Sequence, residues 1–95
     1  MCGTEITIIP CEVSGRIIHA LSYFVQGMSS QVYLSNRDRT VSAKSIIGLL
    51  SLGINKGDKV QVSVLNDDAN TGNEELKKIV DYMRKMGECE WVRKI

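Results

Sequence analysis

Chemistry needs groups that ionise or attack, and this chain offers few of them. His19 is the single histidine in 95 residues, and no acidic residue stands near it in sequence. A general acid or base without a reacting partner has nothing to relay. Ser14 and Ser45 each stand just before a helical pattern, where a side-chain oxygen caps the first amides of a turn. Neither has an evident base to activate it, so no nucleophilic triad is supported. Asp67-Asp68 falls in a polar run and Glu74-Glu75 at a helix start, where solvation and dipole matching account for them. Cys2, Cys11 and Cys89 are an odd set at wide, unrelated spacings. They form neither a disulfide framework nor a zinc pair and read as reduced thiols. No metal, no cofactor and no enzyme is implied.

What remains is serine chemistry at a helix start. In Thr40–Gly53, T-V-S-A-K-S-I-I-G-L-L-S-L-G, Ser45 occupies the N-cap position and Gly53 suits a left-handed C-terminal cap. Ile46, Ile47, Leu49, Leu50 and Leu52 cannot all lie on one buried stripe of so short a helix. Two readings follow: a capped core helix, which the bare pattern favours, or an apolar docking surface beside a modifiable hydroxyl. A phosphate on Ser45 would meet unsatisfied amides and the positive end of the helix dipole, an effect of about 0.3–1 kcal/mol. It would add a charge of about −1.5 to −2 among apolar neighbours, repelling some partners and recruiting others through arginines.

The elements that must position these residues follow from periodicity. The length suits one domain with one core. A net charge of +1 and 5% aromatic content argue against a direct nucleic-acid partner. No stretch approaches the roughly 20 apolar residues of a membrane span, and the N-terminus lacks a signal-peptide pattern, so a cytoplasmic protein is expected.

Glu5–Pro10 is β-branched and reads as a strand. From Arg16 to Met28, apolar residues recur every three or four positions, predicting an amphipathic helix capped by Ser14. Gln31–Ser35 and Arg39–Ser42 predict a hairpin around Asn36-Arg37-Asp38. Lys59–Leu65 alternates strictly, with Val60, Val62 and Val64 on one face. Asn66–Asn73 reads as a loop. A last helix then opens at Glu74-Glu75, carries Leu76, Ile79, Val80, Met83 and Met86 inward, and ends at Gly87. The order strand, helix, hairpin, helix, strand, helix predicts an α+β open-faced sandwich.

The block Val41–Ile54, V-S-A-K-S-I-I-G-L-L-S-L-G-I, resembles the regulatory serine segment of HPr, the histidine-containing phosphocarrier family of the bacterial sugar phosphotransferase system. The likeness runs without a gap from about Glu5 to Leu65. It resumes over the last helix after a short insertion in Asn66–Asn73. The catabolite-repression branch of the family is the nearest in pattern. The resemblance implies a four-stranded antiparallel sheet covered on one face by three helices. It also implies a domain over residues 1–87 and an extension over 88–95 carrying Trp91, Val92 and Ile95.

The family's carrier site does not transfer. Its phosphorylated histidine falls on Ser14, its arginine on Arg16, and the following proline on Ile17. A second alignment places Ile17 at the histidine. Phosphoserine is a stable ester and cannot replace a labile phosphohistidine, while His19 lies a turn inside the helix. The regulatory serine does transfer, to Ser45, preceded by Lys44, which the resemblance counts among the partner-binding residues. Ile46, Ile47 and Leu50 match apolar docking positions, and Arg16, His19 and Tyr23 fall on a partner-facing helix. The resemblance therefore favours the docking reading of the Ser45 helix. It implies an HPr kinase/phosphorylase, a LacI-type transcription regulator and a possible strand-swapped homodimer. Retained phosphotransfer and an unrelated binding role are the alternatives.

Overall fold

The computed structural model describes residues 3–85. Seven elements follow in order: β1 (Gly3–Ile8), α1 (Gly15–Gln26), β2 (Gln31–Asn36), β3 (Arg39–Ser42), α2 (Ile46–Ser51), β4 (Lys59–Leu65) and α3 (Ala69–Arg84). The strands form one antiparallel sheet in the order β1-β4-β2-β3. Three helices cover one face, as expected for an open-faced sandwich.

The strict alternation of β4 does what period-2 patterning requires. Val60, Val62 and Val64 are fully buried. Across the registers Thr7↔Val60 and Leu34↔Val62, β1 and β2 set their own inward residues beside them. From the helical side, Ile17, Ile18, Leu21 and Val25 of α1 and Leu76, Ile79, Val80 and Met83 of α3 close the core. Only Leu49 of α2 is buried.

Several boundaries move. β1 ends at Ile8 rather than Pro10, although Ile9 still exchanges backbone hydrogen bonds with Asp58 and Gly57 at 2.9 Å each. Asn36 belongs to β2, leaving Arg37 and Asp38 as the turn, with Arg37 at φ 62°. Helix α1 starts one residue early, at Gly15, and stops at Gln26 with Gly27 as its cap.

The largest correction is at α3, which begins at Ala69 inside the expected loop. Asp68 is its N-cap: Oδ1 accepts from Asn70 N at 3.0 Å and Oδ2 from the Thr71 hydroxyl at 2.8 Å. These bonds, the Thr71 hydroxyl foremost, hold the Asp68 carboxyl below its ordinary range. Glu74 and Glu75 therefore lie in the second turn rather than opening the helix. Glu75 reaches across to the segment before β2. It accepts from the backbone N–H groups of Ser29 and Ser30, at 3.0 and 2.9 Å, and from both of their hydroxyls.

Helix α3 ends at Arg84 with Lys85 as its cap. The expectations for Met86, Gly87, the 88–95 tail, Cys2 and Cys89 fall outside the described residues. Among the described residues no helix is long and apolar enough to cross a membrane, and no group of three or more His, Cys, Asp or Glu could hold a metal ion.

Candidate functional site

The turn from β3 into α2 is built around Ser45. Its backbone is extended (φ −103°, ψ 114°), as an N-cap residue requires, and its Oγ accepts from Gly48 N at 3.0 Å. Its carbonyl accepts the first helical bond, from Leu49 N at 3.0 Å, and its own N–H donates to Ser42 O at 3.1 Å. The Ser45 side chain stays exposed at the surface. The far end of α2 is closed from outside the helix, since Arg39 Nη1 donates to Ser51 O at 3.1 Å. Gly53 then leaves the helix at φ 67°, the left-handed step expected of a glycine there.

This framing decides which apolar residues α2 shows. Leu49 points into the core at 1% exposure, and Leu52 follows it inward. Ile46 is half-buried against the core. Ile47 and Leu50 are 81% and 55% exposed. Such side chains, left in water beside an exposed serine, are the kind of surface that marks an interaction site.

Helix α1 runs alongside. Arg16, His19 and Tyr23 are exposed on it, Tyr23 at 75%. Ser14 caps it, accepting from Ile17 N at 3.3 Å, and is exposed. A shallow groove of about 220 Å³ joins the two helices, with Ser14, Gly15 and Ile18 on one wall and Leu49, Leu50 and Ile54 on the other. The structure thus brings Ser14 and Leu50 to one groove.

Lys44, beside Ser45, also makes bonds within the fold. Its Nζ donates to Met28 O at 3.0 Å, and its carbonyl accepts from Gln26 Nε2 at 3.3 Å. The side chain fastens the Ser45 turn to the end of α1, where a cation suits the helix dipole. Arg39 and Gly48 carried no signal in the sequence. Each acts in the folded turn: Arg39 closes the end of α2, and Gly48 gives its N–H to Ser45 Oγ.

A family model described as "PTS HPr component phosphorylation site" matches residues 9–82. A multiphosphoryl transfer protein of Xanthomonas campestris is 34% identical over 58 residues, which cover 61% of this chain and 7% of that relative's length. Among solved structures, an HPr structure from Thermoanaerobacter tengcongensis superposes with a TM-score of 0.79 at 27% identity, covering 88% of this chain and 93% of its own. A dimeric HPr from the same organism is 30% identical with a TM-score of 0.67, covering 85% and 93%. The Bacillus subtilis catabolite-repression protein Crh, described as a domain-swapped dimer, has a TM-score of 0.60 at 24% identity, covering 85% and 94%, and speaks for the fold alone. With a family match over most of its length and the same open-faced sandwich, the chain belongs to the HPr family of the phosphotransferase system.

Proposed function

We propose that this chain is a regulatory phosphoprotein of the HPr type, without phosphohistidine carrier activity. An HPr kinase/phosphorylase modifies Ser45, and the product binds a LacI-type transcription regulator in carbon catabolite control. The observation that carries the reading is the exposed Ser45 hydroxyl beside exposed Ile47 and Leu50; the reading takes Ser14, as the resemblance implies, for the carrier-histidine position. A serine ester holds its phosphate rather than relaying it, so the chain acts as a signal and a docking partner, not a catalyst.

The mechanism is local electrostatics. Ser45 already caps α2, so a phosphate there is compatible with the helix and brings a charge of about −1.5 to −2 at neutral pH. That charge stands next to apolar Ile47 and Leu50, with Arg16, His19 and Tyr23 on the neighbouring helix. A regulator engaging this face reads the apolar contacts together with the phosphate, the latter through its own arginines. Lys44 and Ile46 support the face from below. A homodimer is compatible with the dimeric HPr relative.

Intact-mass spectrometry tests this in two parallel reactions, HPr kinase with ATP and enzyme I with phosphoenolpyruvate. One phosphate from the kinase alone, absent in Ser45→Ala, is the expected result. Phosphate from enzyme I would favour retained transfer through His19. Phosphate in neither would leave an HPr-fold module with an unrelated partner.

A further inference from the structure

Helix α2 carries a glycine in its interior, at Gly48. Glycine is a poor helix former compared with alanine. No left-handed backbone demands it here, since Gly53 and Gly57 are the glycines with positive φ among the described residues. The space around it is tight instead. A Cβ on Gly48 would lie 3.3 Å from Ser45 Oγ, 3.3 Å from Val41 Cβ and 3.4 Å from Ser45 Cβ. Both ends of the residue are pinned: its N–H donates to Ser45 Oγ at 3.0 Å, and its carbonyl accepts from the Ser51 hydroxyl at 2.7 Å. The backbone cannot draw away from Ser45 without giving up the cap.

We infer that Gly48 is a positioning residue for modification of Ser45, its missing side chain keeping open one approach to the hydroxyl oxygen. The inference rests on the phosphorylation reading above. In the transfer, Ser45 Oγ forms a new bond to the γ-phosphorus of ATP as the bond from that phosphorus to the bridging oxygen breaks. ADP leaves, and the serine proton passes to a base of the kinase. Reacting atoms must first come within about 3–3.5 Å. A methyl group on residue 48 would stand in that same shell around Oγ. It would crowd the phosphorus and its oxygens as they arrive. Such crowding acts on the transition state more than on docking, which takes place over the wider surface of α1 and α2. It therefore lowers kcat and leaves KM nearly unchanged.

The test compares wild type, Gly48→Ala and Ser51→Ala as substrates of HPr kinase with ATP, reading phosphate uptake by intact mass and folding by circular dichroism. Ser51→Ala removes the hydrogen bond on the Gly48 carbonyl without adding an atom near Oγ, so it controls for simple loosening of α2. The expected result is a fall of about tenfold or more in kcat/KM for Gly48→Ala, carried by kcat, with Ser51→Ala close to wild type. A smaller fall, or an equal loss in Ser51→Ala, overturns the inference.

If wild type takes up no phosphate, the phosphorylation reading fails, and a second measurement decides the inference separately. Ser45→Cys is placed in a chain whose native cysteines are replaced by serine, and its alkylation by iodoacetamide is timed with glycine or alanine at position 48. Alkylation slowed about tenfold by the alanine supports an approach kept open by Gly48, and equal rates refute it.

Discussion

Removing the Glu75 carboxylate charge gives the most quantitative test of how α3 is held against the rest of the molecule. The perturbation is Glu75→Gln, which keeps the shape of the side chain. In the native protein the carboxylate accepts from Ser29 N at 3.0 Å, Ser30 N at 2.9 Å, Ser29 Oγ at 3.2 Å and Ser30 Oγ. A glutamine offers one acceptor oxygen in place of two and turns an N–H₂ toward donors. Hydrogen bonds to an ionised group contribute about 1.5–3 kcal/mol each, yet these are shared on one half-buried carboxylate, and the Ser30 hydroxyl keeps a second partner. That partner is Asn66 Nδ2 at 2.8 Å. The net loss at neutral pH is therefore placed at about 1–2 kcal/mol.

The pH dependence follows with a definite sign. Burial pushes the Glu75 carboxyl up, but the bonds from Ser30 and Ser29 outweigh it and hold the group below its ordinary 4.5. A carboxylate depressed in the folded state binds protons more readily when unfolded. Its stabilisation is present above the unfolded value and is lost as pH falls through the folded one. Urea unfolding of wild type and Glu75→Gln, at neutral pH and again well below 4.5, measures both quantities. The gap should be full at neutral pH and shrink toward zero in acid. A gap that does not change with pH, or none at neutral pH, would refute the assignment.

Two further outcomes follow from the packing. Thr7 is 2% exposed on the inward face of β1, and its Oγ1 has no hydrogen-bond partner among the described residues. Thr7→Val should therefore stabilise the fold by about 1 kcal/mol, a rise of roughly 4–8 °C in Tm for a domain of this size; a fall in Tm would show that the hydroxyl is satisfied. Ile47→Ser, at an 81% exposed position, should leave stability within about 0.5 kcal/mol of wild type. It should also weaken regulator binding by the Ser45-phosphorylated protein. Calorimetry on both forms checks this, and unchanged affinity would remove Ile47 from the docking surface.

What the sequence revealed was local and periodic. The alternation of Lys59–Leu65 located β4 and its buried valines. The serine before Ile46 and the glycine at 53 marked both ends of α2, and the crowding of apolar residues between them implied that some stay exposed. The family resemblance singled out Ile46, Ile47 and Leu50, of which Ile47 and Leu50 are exposed and Ile46 is half-buried. The start of α3 departs from the sequence expectation because Asn70, Thr71, Gly72 and Asn73 carry loop propensity, while the cap that overrides it is a single carboxylate, Asp68. In sequence Glu75 looks like a dipole residue because its partners, Ser29 and Ser30, are 46 and 45 positions away in the chain. Lys44 shows the same limit: nothing in its place beside Ser45 announces the bond from its ammonium to the Met28 carbonyl. Contacts closed by tertiary structure leave no spacing to read. The site was legible where it is built from one continuous segment and silent where α1, β3 and α2 meet.

The most direct test of the account is the mass of the purified chain after incubation with HPr kinase and ATP. Addition of one phosphate, located on Ser45 and absent from both Ser45→Ala and the enzyme I reaction, is the predicted result. An unmodified Ser45 under conditions that phosphorylate an authentic HPr would contradict it.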